Sequence, residues 1–164
     1  MHLPKSQTMN RIGLTSLLIV LSLAFTGCMS NNLVDTNEHV AENSWTYAKM
    51  TKVEFEIKQA DQPYQVYFKL RHTADYRYSN LFVLMHLKGN GTDKTTRYQF
   101  KLAKGDGEWL GKGSGDLYTH EFPLLTNHRF AKPGKYMLEI EQNMRDNPLL
   151  GISDIGLTIV KGSD

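Results

Sequence analysis

Beyond residue 43 the chain alternates between apolar and polar residues with a period of two, and no other feature restricts its possible folds as strongly. Successive side chains of a β-strand point to opposite faces, so this alternation places one face in a core and the other in water. No stretch there shows the 3.6-residue apolar period of an amphipathic helix. The alternating runs are Val53–Ile57, Tyr64–Leu70, Tyr98–Leu102, Tyr118–Leu124, Tyr136–Ile140 and Ile155–Ile159.

Residues that favour turns separate these runs. They occur as Asp61-Gln62-Pro63, Lys88-Gly89-Asn90-Gly91, Lys104-Gly105-Asp106-Gly107, Lys132-Pro133-Gly134 and Asn147-Pro148. The more continuously apolar run Leu81–Leu87 is typical of a central strand. About seven to eight short strands at this spacing predict an all-β fold, an antiparallel β-sandwich that occupies residues 43–164.

The first 27 residues have the layout of a lipoprotein signal peptide that is cleaved before Cys28. Lys5 and Arg11 precede an apolar run at residues 12–25, and Thr26 and Gly27 stand directly before the cysteine. The run is shorter than the roughly 20 residues that cross a bilayer, and its length suits a secretory signal. We therefore expect membrane lipid to be attached at Cys28. The alternative is an ordinary secretory signal that happens to contain a cysteine.

Cys28 is the single cysteine of the chain, so the folded domain is expected to be stable without a disulfide. Residues 28–42 are polar and aperiodic after the cysteine, which predicts a flexible tether. Fully extended, the tether would reach roughly 45 Å. The mature chain has 17 basic and 17 acidic residues. This neutral balance gives no general attraction to phosphate backbones, so nucleic acid is not an expected partner.

The six histidines show no spacing that is typical of a metal site. They are His2, His39, His72, His86, His120 and His128. Neither a His-x-His nor a His-Glu-x-x-His pattern occurs, and no EF-hand loop is present. His120 alternates with apolar neighbours, which places it partly inside the fold. No metal and no other cofactor is predicted.

Two motifs that would indicate catalysis fail on inspection. The glycine cluster 111–115 lacks the first glycine of a P-loop, because Asp106 stands there, and Gly113 replaces the required Ser or Thr. Ser114 lacks the flanking glycines of a nucleophile elbow. We interpret the cluster as a kinked strand or bulge. Glu139 and Glu141 share one strand face at a separation of about 6.6 Å, which is in the general range that glycosidases use. We favour the alternative, a solvated outer face, because charged residues alternate with apolar ones along any amphipathic strand. No catalytic residue is predicted, and the chain is not expected to be an enzyme.

Aromatic and basic residues near the turns are the remaining candidates for a binding site. They are Trp109, Tyr76, Tyr78, Arg71 and Arg145. Aromatic faces with a polar rim bind sugars and peptides. The alternative is that Trp109 fills one end of the sandwich core. We favour this alternative because the neighbouring Leu110 and Gly111 are typical of a packed region rather than of a surface that presents a ring to a ligand.

Four blocks of the sequence resemble the gliding-motility lipoprotein GldH family of the Bacteroidetes. They are residues 76–81 (Tyr-Arg-Tyr-Ser-Asn-Leu), residues 107–116 around Trp109, residues 136–145, and residues 151–157 (Gly-Ile-Ser-Asp-Ile-Gly-Leu). Together with Trp45 they cover most of residues 43–160, and the lipoprotein signal before Cys28 agrees with them. The resemblance implies a lipid-anchored accessory of the gliding and type IX secretion machinery, with other envelope proteins as partners. It implies no particular chemistry.

The residues after Cys28 bear on location. Many surface-exposed Bacteroidetes lipoproteins carry a dense acidic run there, whereas Asp35 is the single acidic residue between positions 29 and 37. We therefore expect an outer-membrane protein of the cell envelope that faces the periplasm. Three functions are compatible with the sequence: a non-enzymatic component that contacts other proteins, a lipid-anchored module that binds carbohydrate or peptide, and a hydrolase. We favour the first.

Overall fold

The computed structural model describes residues 32–162, which form β-strands joined by turns. Seven strands are seven or more residues long: β4 (Thr51–Ile57), β5 (Tyr64–Thr73), β6 (Asn80–Gly89), β7 (Thr92–Lys101), β9 (Leu117–His128), β10 (Gly134–Gln142) and β12 (Ile152–Lys161). Five are shorter: β1 (Asn32–Asp35), β2 (Glu38–His39), β3 (Ser44–Trp45), β8 (Lys112–Ser114) and β11 (Leu149–Leu150). The predicted all-β fold is confirmed, and each long strand overlaps one of the apolar runs. Cys28 and the predicted signal peptide, residues 1–27, lie outside the described residues.

Two antiparallel sheets form the layers of the sandwich. The first has the strand order β1-β12-β5-β9-β8, with β2 also paired to β12, and the second has the order β4-β10-β6-β7. The short strands β3 and β11 form a separate ladder. The apolar strand β6 lies inside its sheet, between β10 and β7. Every strand pair is antiparallel, which fits chain connections made by turns rather than by crossover helices.

The core lies between the two sheets, because most of the inward positions of the long strands are apolar and buried. Buried and less buried residues alternate along the whole of β4 and β5, and along β10 from Lys135 onward. Rings from the two sheets meet at the border of β7 and β9, where Phe100 and Phe122 stack with centroids 4.2 Å apart. Beside them the Tyr98 hydroxyl on β7 donates to the Leu124 carbonyl on β9 at 2.5 Å. These contacts join the sheets along one side of the sandwich.

Residues 32–42, for which the sequence predicts a flexible tether, belong to the folded domain instead. Strands β1 and β2 extend the first sheet by pairing with β12, and Val40 is buried. Between the two strands the chain stays beside β12 in the same register, and the Thr36 N–H donates to the Leu157 carbonyl. A Cβ atom at Gly156 would collide with the Thr36 carbonyl oxygen. Hydrogen bonds to the edge of β12 hold the segment in place. The segment therefore stays in the fold without a regular alternation of apolar residues.

The sandwich has two ends that differ in the side chains they expose. The end at which residue 32 joins the sheet is here called the proximal end, and it carries the turns at residues 58–63, 90–91 and 129–133. The opposite end is called the distal end. It carries the loops 74–79 and 102–111, the turn between β8 and β9, and the ladder of β3 and β11.

Candidate functional site

Two histidines from neighbouring strands form a buried pair near the distal end. His72 lies near the end of β5 and His120 near the start of β9, and both occupy inward positions of their strands. Their Nε2 atoms are 3.1 Å apart, a hydrogen-bond distance. His72 is fully buried, and His120 is 7% exposed. The pair is therefore inside the fold and not on a face that a solvent-borne ligand meets directly.

The hydrogen bonds of the pair define which nitrogen carries each proton. Nδ1 of His72 lies 2.9 Å from the Thr73 carbonyl oxygen, and a carbonyl oxygen only accepts, so Nδ1 must carry the proton. In a neutral ring the Nε2 atom of His72 is then an acceptor. His120 consequently donates its Nε2–H to His72, and its own Nδ1 is left unprotonated. This arrangement of protons satisfies both hydrogen bonds with both rings neutral.

Burial keeps the pair neutral. It lowers the pKa of His72, an effect that the hydrogen bond to the Thr73 carbonyl partly opposes. It lowers the pKa of His120 to about 4, and a smaller part of that shift comes from the repulsion that a charge on His72 would cause. A charged imidazole is disfavoured in surroundings that cannot solvate it. Neither ring is poised to exchange a proton near neutral pH, as a general acid or base would be.

A layer of aromatic side chains covers the histidine pair. The Trp109 ring packs edge-on against His72 with centroids 4.5 Å apart, and Tyr118 stacks on His72 at 5.5 Å. Tyr76 lies 5.4 Å from His72 and 6.4 Å from Trp109. Trp109 itself is half-buried and packs against the hydrophobic core. The pair is therefore separated from solvent by rings, which is a structural arrangement more than a catalytic one.

The structure brings together three of the five candidates named from the sequence. Tyr76 joins Trp109 at the histidine pair and also contacts Tyr78, with centroids 5.8 Å apart. The Tyr78 hydroxyl donates to the Asp146 carboxylate at 2.5 Å, and this hydrogen bond raises the pKa of Tyr78. Desolvation by burial raises the pKa of Tyr76. Both phenols are therefore neutral at physiological pH.

The two arginines of the predicted site lie apart from Trp109. Arg145 lines a cavity of about 360 Å³ together with Tyr78, Arg97 and Asp146. Arg71 is on the outer face of β5, and its guanidinium lies 3.6 Å from the buried Asp154 carboxylate. The predicted binding residues are thus divided among the aromatic layer, the Tyr78–Arg145 cavity and an ion pair on the outside of the first sheet.

Charged groups that the sequence offered for catalysis contact neighbouring polar side chains. Glu139 contacts Lys88 at 3.1 Å and Lys52 at 3.8 Å. Glu141 lies 3.4 Å from His86. Within residues 32–162 no group of three or more His, Cys, Asp or Glu side chains could hold a metal ion. These contacts occupy Glu139 and Glu141 on the outer face of the second sheet.

Sequence reasoning missed His72, Tyr118 and the pairing of the two histidines. One local sign existed, because His72 continues the inward series Tyr64, Val66, Phe68 and Leu70 along β5. The contact with His120 depends on the register of β5 against β9, which pairs Leu70 with His120 and His72 with Tyr118. No local pattern specifies that register across 48 positions.

The large apolar side chains that are most exposed within residues 32–162 all lie at the distal end. They are Tyr47, Met50, Leu110 and Leu150, with exposed fractions between 43% and 57%. Tyr47 is held in place, since its hydroxyl donates to the Met144 carbonyl and its backbone N–H donates to Asn147. In the same described range no helix is long and apolar enough to cross a membrane.

Comparisons with known proteins identify relatives along nearly the whole folded domain. The profile of the GldH lipoprotein family matches residues 32–159. A gliding motility lipoprotein GldH homolog of Christiangramia forsetii is 31% identical over 158 residues, which are 90% of this chain and 95% of that protein.

Solved structures give weaker similarities. A carbohydrate-binding module of the CBM28 type, specific for non-crystalline cellulose, aligns over 79% of this chain and 80% of its own with a TM-score of 0.43 and 8% identity. The VP2 subviral particle of infectious bursal disease virus aligns over 78% of this chain and 30% of its own, with a TM-score of 0.36 and 15% identity.

Proposed function

The chain belongs to the GldH lipoprotein family, and from this premise we propose that it is a non-enzymatic component of the gliding motility and type IX secretion machinery. In this proposal lipid at Cys28 holds the domain on the periplasmic face of the outer membrane. The domain then contacts other envelope proteins through its distal end. The resemblance stated from the sequence blocks is what supports the link to secretion.

One observation carries the proposal of an interaction role. The buried histidines and the paired glutamates are engaged in internal contacts, whereas four large apolar side chains are exposed at the distal end. The His72–His120 pair is neutral and covered by rings, and Glu139 is ion-paired with Lys88, so these groups face other side chains rather than a substrate. Large apolar side chains that are exposed on a protein surface are typical of contact sites for other proteins, particularly where the backbone that carries them is ordered.

The anchor is tested by Cys28→Ser. Each buried CH₂ of an acyl chain contributes about 0.8 kcal/mol, so several chains hold a protein firmly on a membrane. We expect the variant to lose lipid labelling and to leave the membrane fraction. A variant that still fractionates with membranes at high salt would show that Cys28 is not the anchor.

The partner surface is tested by a photo-crosslinking amino acid at Leu110 or Leu150 in growing cells. We expect both positions to crosslink the same envelope protein, identified by mass spectrometry. A crosslinker at the exposed Glu54, on the outer face of the second sheet, is the matched control and should not capture that protein. Capture from Glu54 but from neither leucine would place the contact elsewhere and contradict the distal-end assignment.

A second candidate function is supported by the cavity of about 360 Å³ beside Tyr78 and Arg145. It combines an aromatic face, two arginines and a carboxylate, groups that bind carbohydrate or peptide. Binding of oligosaccharides or short peptides to the purified protein, abolished by Arg145→Ala, would favour this function over the interaction role. Unchanged binding in that variant would exclude the cavity as its site.

A further inference from the structure

The short distance between the lipid site and the folded domain fixes which end of the sandwich faces the membrane. This step rests on the proposed lipid attachment at Cys28. Asn32 pairs with Val160, next to the last residue of β12, Lys161. Cys28 stands four positions before Asn32, so the chain between them spans at most about 14 Å when fully extended. The tether of roughly 45 Å expected from the sequence would have imposed no orientation, whereas this one brings the proximal end to the lipid surface.

The proximal end is the most basic part of the domain. Its turns with the three strand residues on either side, and the last three residues of β12 with the first three of β1, contain three carboxylates, Glu56, Asp61 and Asp93. Lys88 also lies there and is ion-paired with Glu139. The remaining basic side chains at this end are all exposed: Lys58, Lys94, Arg129, Lys132, Lys135 and Lys161.

This charge is concentrated and not a property of the whole protein. Residues 32–162 contain 17 basic and 16 acidic side chains. Seven basic and three acidic ones belong to the proximal end, so ten basic and thirteen acidic are left for the rest of the domain. The local field acts on a neighbouring group, because Lys94 contributes to the lowered pKa of His128, where burial is the larger cause. A nearly neutral protein thus has one positive end, at the point where its lipid anchor is attached.

We propose that the proximal end lies against anionic phospholipid headgroups of the membrane that holds the lipid anchor. Basic residues close to an acylated terminus provide the second attraction that stable, oriented membrane binding needs. The short span from Cys28 keeps these side chains within a distance at which charges act, since the Debye length is about 8 Å at physiological ionic strength. The distal end, with its exposed Tyr47, Leu110 and Leu150, then points away from the membrane.

The orientation is tested on the lipidated mature protein by labelling single thiols. The lipid blocks the sulfur of Cys28, the single cysteine of the chain, so an introduced cysteine is the one reactive thiol. Gln59→Cys places it at the proximal end and Ser114→Cys at the distal end, both at exposed positions. Each protein is added to preformed phosphatidylcholine vesicles, or to vesicles of equimolar phosphatidylcholine and phosphatidylglycerol. A membrane-impermeant maleimide then reports accessibility.

We expect Gln59→Cys to be labelled about fivefold more slowly on anionic vesicles than on neutral ones, with the difference removed by high salt. Ser114→Cys should be labelled equally on both. Adding Lys132→Glu and Lys161→Glu should abolish the difference, whereas the matched distal reversals Lys101→Glu and Lys112→Glu should leave it intact. Equal labelling of Gln59→Cys on both vesicles, or slowing at Ser114→Cys instead, would overturn the proposal.

Failure of the lipid anchor gives a different result. A chain without lipid at Cys28 would have an unmodified N-terminal mass and would not float with neutral vesicles. The same protein would then be tested for salt-sensitive flotation with the anionic vesicles alone. Flotation that Lys132→Glu with Lys161→Glu abolishes would support the basic surface, and no flotation would overturn it.

Discussion

Gly111 lies directly against the ring of His120, so that a Cβ atom at residue 111 would stand 2.6 Å from Nε2. The residue before β8 therefore has to be glycine for the histidine to keep its position, and it is this same nitrogen that donates to His72. The glycine cluster, interpreted from the sequence as a kink or bulge, thus includes one residue whose role is to leave room for a buried hydrogen bond.

Gly111→Ala should destabilise the protein by about 1–3 kcal/mol, because the added methyl group overpacks the site and displaces His120. Gly113→Ala is the matched control, since a Cβ there would meet Tyr118 at an ordinary 3.5 Å. Urea unfolding of the non-lipidated chain from residue 29 compares the two variants. Equal midpoints would mean that His120 moves aside without cost.

Acid should destabilise the folded protein through His120. Its pKa is lowered from the usual value of 6.5 to about 4 on folding, so the unfolded chain binds more protons between those values. Stability is therefore fully present above pH 6.5 and is lost as the pH falls toward 4. The loss is on the order of 3 kcal/mol for His120. Unfolding midpoints measured across this range should fall with pH.

His120→Gln provides the control for this pH dependence. Its amide can still donate to Nε2 of His72, but it does not titrate, so the slope of stability against pH should become shallower below pH 6.5. The slope that remains reports the other histidines with lowered pKa values, His72 and His128. An unchanged slope would assign the acid sensitivity to groups other than His120.

The seven long strands could be predicted because the alternation that marks them is local. A run such as Val53–Ile57 shows its buried face within five residues, and the structure puts β4 there with that face inward. The site could not be predicted in the same way. Its central contact depends on how β5 registers against β9, and this register follows from turn geometry and packing over the whole sheet.

The N-terminal strands escaped prediction for a different reason. Residues 32–39 contain just two apolar side chains, Leu33 and Val34, and neither β1 nor β2 has a repeating pattern. Both strands are held by pairing with the edge of β12. That edge exists only in the tertiary fold, so the sequence alone does not show it. Gly156 carried the missing information, since a glycine inside a strand often marks the close approach of another backbone.

Trp109→Ala should lower the free energy of unfolding by about 2–4 kcal/mol, somewhat less than for a fully buried ring, because Trp109 is half-buried and packs on His72. Its fluorescence in a Trp45→Phe background, needed because Trp45 also emits, should be blue-shifted and weakly quenched. Red-shifted emission with an unchanged unfolding midpoint would identify Trp109 as a surface residue that is available for ligands.

Truncation should show that residues 32–42 stabilise the domain. A chain that starts at residue 43 loses β1, β2 and the buried Val40, whereas a chain that starts at residue 31 keeps them. Burial of one valine contributes about 2 kcal/mol, and the pairing with β12 adds to it. We therefore expect the shorter chain to unfold at lower urea concentration by at least that free energy. Identical midpoints would mean that the segment is a tether after all.

Gly156→Ala connects that loss to one contact, since the added methyl group would strike the Thr36 carbonyl and push residues 36–37 away from β12. In the chain from residue 31 the substitution should destabilise by about 1–3 kcal/mol. In the chain from residue 43 the obstructing carbonyl is absent, so the same substitution should have little effect, and the two changes should not be additive. Equal effects in both chains would place the clash elsewhere, at the Lys69 side chain that also approaches Gly156. The double-mutant cycle therefore tests the contact between Thr36 and Gly156 itself, independently of how much stability the segment contributes.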